Sequence, residues 1–416
     1  MSGPVANNVF RSSGVIASAA GGVSWQSVVT ASTVTVSAGN GYPINTTSNT
    51  CTITLPSSAE AGDQIIFLDY ARTWGTNKII IDSNGLNYQG EADTYTVEYD
   101  TSGQTVSIVY SGATVGWIPE SDVDVTDAPV ALNQKGIFAY GNSGSVTAVS
   151  NLVNSSGVVA TDVSGVGTAR SDLAAASYGT DKAIYGYGYT GSNTAITNLV
   201  NNSGVVAADV SGVGTARRLC AGATYGGDKA LFAYGYTSSP VSLSNLVSSS
   251  GVVASDTTGV GTARYALAAT AYGGDKAIYG YGSTPATNIS NLVSNTGVVA
   301  TDTSGVGTAR YGLAAAGYDG TKAIFGYGNT GSSSSLTNLV SNLGVIATDT
   351  AGVGTARREL GATRYGGDKA IFAYGTTGSN TAISNKVSNS GVVATDTSGV
   401  GTARWGAIGA GYSLSA

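Results

Sequence analysis

Residues 301–310 read TDTSGVGTAR, and residues 395–404 read the same ten letters. Near-copies begin at Thr161 (TDVSGVGTAR), Ala208 (ADVSGVGTAR), Ser255 (SDTTGVGTAR) and Thr348 (TDTAGVGTAR). The closing arginines are Arg170, Arg217, Arg264, Arg310, Arg357 and Arg404, so successive copies stand 47, 47, 46, 47 and 47 residues apart. A fixed period of this length marks a repeat architecture, in which each unit buries its apolar face against the next.

Read from Arg217, one unit runs RRLCAGATYGGDKALFAYGYTSSPVSLSNLVSSSGVVASDTTGVGTA. Small residues fill LCAGATY, aromatic and small residues alternate in KALFAYG, and SLSNLVS and GVVASD follow across short turns. Neither KALFAYG nor GVVASD carries apolar residues at helical spacing. Four short strands in about 47 residues predict the blade of a β-propeller. The first repeated segment, KGIFAYG at 135–141, has no small-residue strand before it, whereas the chain ends in an unpaired one, RWGAIGAGYSLSA. Ala407–Tyr412 is therefore expected to complete the sheet begun at Lys135, which gives six blades closed by the C-terminal strand.

Several columns repeat with the period. Tyr140, Tyr187, Tyr234, Tyr281, Tyr327 and Tyr374 are expected between neighbouring sheets. Asn151, Asn198, Asn245, Asn291, Asn338 and Asn385 are expected to bond backbone at a bend. Lys386 interrupts a leucine column and should not face a dry core. Each unit also carries an aspartate before the GVGTAR loop (Asp162, Asp209, Asp256, Asp302, Asp349, Asp396), and the first expectation is that these pair with the arginines. On this reading the GVGTAR copies are hinges between units rather than active sites, with glycine at positions where a side chain would clash.

Three regions follow from the whole sequence: a small, polar arm at 1–24, a β-sandwich-like or barrel-like module at 25–120, and the repeats at 135–416, with an acidic, proline-containing linker at 121–134. The module shows alternation in STVTVSA, TCTITLP, QIIFLDY, KIIIDS, TYTVEYD and VSIVYSG, for six or seven strands. The predicted fold class is all-β.

Composition narrows the chemistry. The chain has 416 residues, 60 of them glycine and none histidine. A histidine general base, a Ser-His-Asp triad and histidine-ligated metals are thereby excluded. Cys220 stands in a column with Leu173, Leu267, Leu313 and Leu360 and reads, like a core residue, as a small buried hydrophobe. A net charge of −6 argues against non-specific nucleic-acid binding. The opening segment has too short and broken an apolar core for a secretion signal, and no stretch is long enough to span a bilayer. No cofactor, metal or catalytic residue is predicted.

Two family resemblances add to this reading. The unit resembles the kelch propeller repeat in the order Arg264, Tyr272–Gly274, Ile278–Tyr279 and Gly282, although Tyr281–Gly282 stands where kelch units carry a glycine pair and no tryptophan occupies the last strand. The first module resembles one found in virion appendage and fibre proteins of tailed bacteriophages, including cyanophages, in GYPINTT (41–47), ITLPSSAEAGDQIIFLD (53–69), NGLNYQGE (84–91) and VYSGATVGW (109–117). The resemblance implies a virion structural protein, assembled in the host cytoplasm and displayed on the particle surface. Its N-terminal arm would dock on other virion proteins, and it would be a homo-oligomer, such as a trimer.

Function on such a scaffold is expected where the units differ. The loops after the Tyr-Gly pairs vary, and so does the residue after each repeated arginine: Ser171, Arg218, Tyr265, Tyr311, Arg358 and Trp405. Aromatic faces stack on sugar rings and arginine bonds hydroxyls or acidic groups. Trp405, Tyr311, Tyr265, Arg218 and Arg358 are therefore the candidate binding face for a host-surface glycan. The alternative is a non-binding decoration protein of capsid or tail, in keeping with the Ser-, Thr- and Gly-rich loops. An enzyme is the least favoured class: Asp172 and Glu359 occur singly in different units, with no evident carboxylate pair.

Overall fold

A computed structural model describes residues 23–92, 97–120 and 132–415. The expected docking arm, up to residue 22, and most of the expected linker lie outside the described residues. Every regular element described is a β-strand, so the chain is all-β. It divides into two compact units, Met1–Pro129 and Val130–Ala416.

Nine strands build the first unit: β1 (Ser24–Trp25), β2 (Thr33–Thr35), β3 (Asn40–Ile44), β4 (Cys51–Thr54), β5 (Gln64–Asp69), β6 (Ile79–Asp82), β7 (Val97–Tyr99), β8 (Thr105–Tyr110) and β9 (Trp117–Pro119). They form two sheets, ordered β1-β3-β5-β8-β9 and β2-β4-β6-β7. Up to β6 the chain changes sheet at every step, so strands two apart pair in parallel: β1 with β3, β3 with β5, β2 with β4 and β4 with β6. This departs from a simple succession of hairpins, because each turn carries the chain across the core instead of back along the same sheet. Alternate residues such as Ile53, Ile65, Phe67, Ile79 and Ile81 thus point into one shared core. Cys51 is fully buried there, and burial pushes its thiol up to about 11.

The second unit holds six three-stranded antiparallel sheets. Sheet I pairs Lys135–Ala139 with Ser150–Val153 on one side and with the C-terminal Ile408–Tyr412 on the other. Sheets II to VI take their first strands from Ala174–Tyr178, Ala221–Tyr225, Ala268–Tyr272, Ala314–Tyr318 and Gly361–Tyr365, each paired with the strand that follows it. First strands of successive sheets pack on one another, and Ile408–Tyr412 packs on the first strands of both sheet VI and sheet II. The order of packing is therefore cyclic.

Aromatic side chains repeat that cycle. Tyr140 meets Tyr185, Tyr187 meets Phe232, Tyr234 meets Tyr279, Tyr281 meets Phe325, Tyr327 meets Phe372, and Tyr374 meets Phe138, with ring centroids 5.2–5.5 Å apart. Each pair adds about 0.5–1.5 kcal/mol beyond the area it buries. The six tyrosines themselves hold φ between 62° and 65°, in the left-handed region. That backbone costs on the order of 1 kcal/mol per residue, and a buried ring compensates for it. Glycine follows each one: at Gly141 a Cβ would stand 2.6 Å from the Trp405 carbonyl oxygen.

The segment expected as a fourth strand forms only isolated bridges, Val153↔Val159 and Ser150↔Val163 in sheet I. The cause is a side chain in the ladder. Asn151 Nδ2 donates to the Ala160 carbonyl at 3.0 Å and to Asp162 Oδ1 at 2.8 Å, so a side chain takes the Ala160 carbonyl, while Ala160 N–H still donates to the Leu152 carbonyl at 2.8 Å. The asparagines do bond backbone, and each is fully buried.

The aspartates do not mainly hold the arginines, contrary to the first expectation. Asp209 accepts the Thr168 backbone N–H at 3.0 Å and its hydroxyl at 2.5 Å, from the GVGTAR loop of the preceding unit. Asn198 donates to Asp209 at 2.9 Å and accepts from Arg170 at 2.7 Å, so asparagine stands between acid and base. Direct Arg–Asp approaches occur in three units, at 3.7–4.0 Å. Arg170 is fully buried, donates Nε to the Tyr187 carbonyl at 2.9 Å, and stacks 4.4 Å from the Tyr140 ring centre. Burial opposes ionisation of Asp209, but the hydrogen bonds from Thr168 and Asn198 outweigh it and hold the carboxyl below its usual value. Glycine is required within this clasp: Gly167 has φ +74°, and a Cβ there would lie 2.3 Å from Asp209 Oδ1. The same arrangement joins Thr402 and Arg404, near the end of the chain, to Asp162 and Asn151 beside the first sheet.

Candidate functional site

Each repeated arginine is pinned inside its clasp, and the next residue emerges beside the loop that follows a Tyr-Gly pair. Backbone bridges fix this: Ser171↔Tyr189, Arg218↔Tyr236, Tyr265↔Ser283, Tyr311↔Asn329, Arg358↔Thr376 and Trp405↔Asn142. The five candidate residues thus occupy equivalent places at one end of the six-sheet unit, and all five are half-buried. Ser171, the sixth member of the column, is buried.

Their side chains do not form one continuous array. Arg218 and Tyr265 are brought together through Tyr236. The Arg218 guanidinium carbon lies 4.5 Å from the Tyr189 ring centre and 5.5 Å from that of Tyr236, and Tyr236 meets Tyr265 edge-on at 5.3 Å. Tyr189, Arg218, Tyr236 and Tyr265 therefore make a strip across three successive units. The buried Arg218 Nε has no hydrogen-bond partner. Tyr311 instead accepts from Asn329 Nδ2 at 3.1 Å, and Arg358 reaches Ser333 Oγ at 3.3 Å. Trp405 is held through its backbone to Asn142, with N–H to carbonyl at 3.1 Å. Sequence reasoning missed Tyr189 and Tyr236. The signal was present, since both follow a Tyr-Gly pair in loops already marked as variable.

One residue further along lie Asp172, Leu219, Ala266, Gly312, Glu359 and Gly406, all with φ between 53° and 65°. Their backbones link head to tail: Leu219 N–H donates to Asp172 at 2.7 Å, Ala266 to Leu219 at 2.9 Å, Gly312 to Ala266 at 2.8 Å, Glu359 to Gly312 at 2.7 Å and Gly406 to Glu359 at 2.7 Å. This collar of peptide groups lies one residue beyond the candidate residues along the chain.

The collar also brings together two acids that the sequence shows far apart. Burial first, and then the charge of Glu359, raise the Asp172 carboxyl to about 6 against the opposing pull of Arg218. Burial raises Glu359 as well, against the pull of Arg358. The folded protein keeps the Asp172 proton to about pH 6, whereas an ordinary aspartate loses it near 3.8. The folded state thus binds more protons between these values, so this group's contribution to stability declines as pH rises from about 4 to about 6 and stays lost above that. Asp172→Asn removes the ionisation. It is expected to stabilise the unit by about 1–3 kcal/mol at neutral pH and to change little near pH 4. Thermal unfolding of both proteins across this range checks it, and parallel curves would reject the assignment.

Among the described residues no group of three or more His, Cys, Asp or Glu side chains is placed to hold a metal ion, and no helix is long and apolar enough to cross a membrane. Both cysteines are free and buried; burial pushes the Cys220 thiol up to about 11, which leaves it a core residue. Lys386 does not face a dry core, but neither do the leucines of its column, which are half-buried like it; its ammonium donates to the Ser156 carbonyl at 2.8 Å.

No protein-family model matches this chain, and no curated protein sequence matches it either.

Proposed function

We propose that the chain is a bacteriophage virion structural protein, a tail fibre or appendage. In this reading the six cyclically packed sheets are blades of a kelch-like β-propeller, and the end carrying Arg218 and Tyr265 binds a host-surface glycan. The observation that carries the binding assignment is the Tyr189–Arg218–Tyr236–Tyr265 strip, where half-buried aromatic faces flank a guanidinium. Such a set offers stacking to a sugar ring and charge-assisted hydrogen bonds to its hydroxyl or acidic groups. Trp405, Tyr311 and Arg358 supply further contacts around the same end. The first unit anchors the protein to other virion components through its N-terminal arm and carries the homo-oligomer contact, with a trimer as the expected state. No catalytic residue, cofactor or nucleic-acid partner belongs to the proposal.

The alternative, a non-binding decoration protein of capsid or tail, draws support from the internal engagement of two candidates. Tyr311 is taken by Asn329 and Arg358 by Ser333. A glycan array separates the readings. The intact chain should bind a restricted set of host polysaccharides. Arg218→Ala with Tyr265→Ala should weaken that binding about tenfold or more, as expected for loss of an aromatic and a guanidinium anchor. Trp405→Ala with Tyr311→Ala should weaken it less. Replacing Lys229 and Lys276 in the turns at the opposite end serves as control. No binding to any host glycan, with normal incorporation into particles, would favour the decoration role.

A further inference from the structure

A cavity of about 150 Å³ runs between the first strands of the six sheets, lined mostly by alanine and glycine such as Ala175, Gly222, Ala269, Ala315 and Gly409. Among the described residues one charged side chain, Arg364, lines it. The equivalent positions in the other first strands are Ser177, Thr224, Ala271, Gly317 and Gly411. The two sheets beside Arg364 therefore carry glycine there. A Cβ on Gly317 would lie 2.2 Å from an Arg364 terminal nitrogen, so the guanidinium lies over the space a neighbouring side chain would fill. The segment from Leu132 to Gln134 borders the cavity, its backbone bonded to Gly366, Gly367 and Ser413 and the Asn133 side-chain amide donating to the Thr180 carbonyl.

The arginine has little internal compensation. Nε donates to the Gly317 carbonyl at 3.4 Å, and among the described residues no carboxylate lies within ion-pair reach. Asp368, whose charge acts on it from a distance, is engaged by Lys369 at 2.5 Å. Burial lowers the Arg364 pKa to about 10, which still leaves the group charged at neutral pH. Charges drawn out of water are ordinarily paired. Arg364 is half-buried, it has no charged partner among the described residues, and it borders a space large enough for an ion.

We infer that the cavity holds a small monovalent anion, a halide or a short carboxylate, on the Arg364 guanidinium. The size of the space and the glycine neighbours favour a compact ion over a sugar or a peptide chain. This site is separate from the proposed glycan face and stands whether or not that face binds.

The test uses the full chain in a gluconate buffer, with chloride exchanged in at constant ionic strength. The chloride NMR line should broaden in the presence of the native protein and narrow again when formate is added. Melting temperature should rise by a constant increment for each tenfold increase of chloride above its dissociation constant. Arg364→Gln should abolish both effects, while Arg364→Lys should retain part of them. Equal broadening by the native protein and Arg364→Gln would overturn the site, as would no broadening at all. Should Arg364→Gln fail to fold, crystals of the native protein soaked in bromide decide the matter. An anomalous peak beside Arg364 supports the inference, and no peak there refutes it.

Discussion

Removing residues 405–416 is expected to abolish cooperative folding of the six-sheet unit. The deletion takes away Ile408–Tyr412, which pairs along its whole length with Lys135–Ala139 and packs on the first strands of sheets II and VI. Tyr412 is 2% exposed, and Ala407 and Ala410 are buried beside it. Loss of the tyrosine alone removes about 2–3 kcal/mol of burial. The five broken backbone pairs and the uncovered faces of two neighbouring sheets add to this. The total is comparable to the entire stability of an ordinary domain, about 5–15 kcal/mol. The truncated chain should bind hydrophobic dyes, lose its near-ultraviolet circular dichroism and be cut rapidly by proteases within residues 135–404. A melting curve that overlays the intact protein's would show that the C-terminal strand is dispensable.

The second large effect is expected at Arg310. Its Nε donates to the Tyr327 carbonyl at 2.9 Å, its terminal nitrogens to Asn338 at 2.5 Å and the Thr308 carbonyl at 3.1 Å, and it stacks 4.2 Å from the centre of the Tyr281 ring. Asp349 lies 3.7 Å away, the nearest acid to any of the six arginines. Arg310→Ala leaves buried acceptors without donors and opens a cavity between two sheets. A cost of about 3–5 kcal/mol follows. Lysine lacks the planar fork and should recover only part of this. By contrast, Lys322→Ala breaks an exposed pair with Asp319 and should cost less than about 1 kcal/mol. Denaturant titration of the three variants makes the comparison. A loss below about 1 kcal/mol for Arg310→Ala would mean that the clasp contributes little and that aromatic contacts hold the sheets together.

The candidate surface was legible in position but not in grouping. Variation after each repeated arginine marked Arg218 and Tyr265 correctly as neighbours of the variable loops, because a strict period places equivalent residues at equivalent points. It also placed Trp405 and Tyr311 at the same end. Which of these touch depends on side-chain reach across sheets: Arg218 extends to Tyr189 of the preceding unit as well as to Tyr236 of its own. Glu359, remote in sequence from Asp172, acts on it because the collar places the two residues on either side of the small Gly406.

Sequence alone determined three of the four expected strands of each repeat in the second unit, their 46–47-residue period and the pairing of the C-terminal strand with Lys135–Ala139. Those features rest on local alternation, on turn glycines and on an unpaired strand at the end of a periodic array, all of which are visible along the chain. Tertiary structure alone decided the partners of the buried polar groups. Asp209 holds Thr168 rather than Arg170, with Asn198 between acid and base, because packing one sheet against the next brings the GVGTAR loop over its successor's asparagine. The same is true of the first unit, whose alternation announces strands but not that the chain crosses the core at every step up to β6, and of Arg364, a charged residue in a small-residue strand that becomes, among the described residues, the cavity's one cation only when the first strands of the six sheets are brought together.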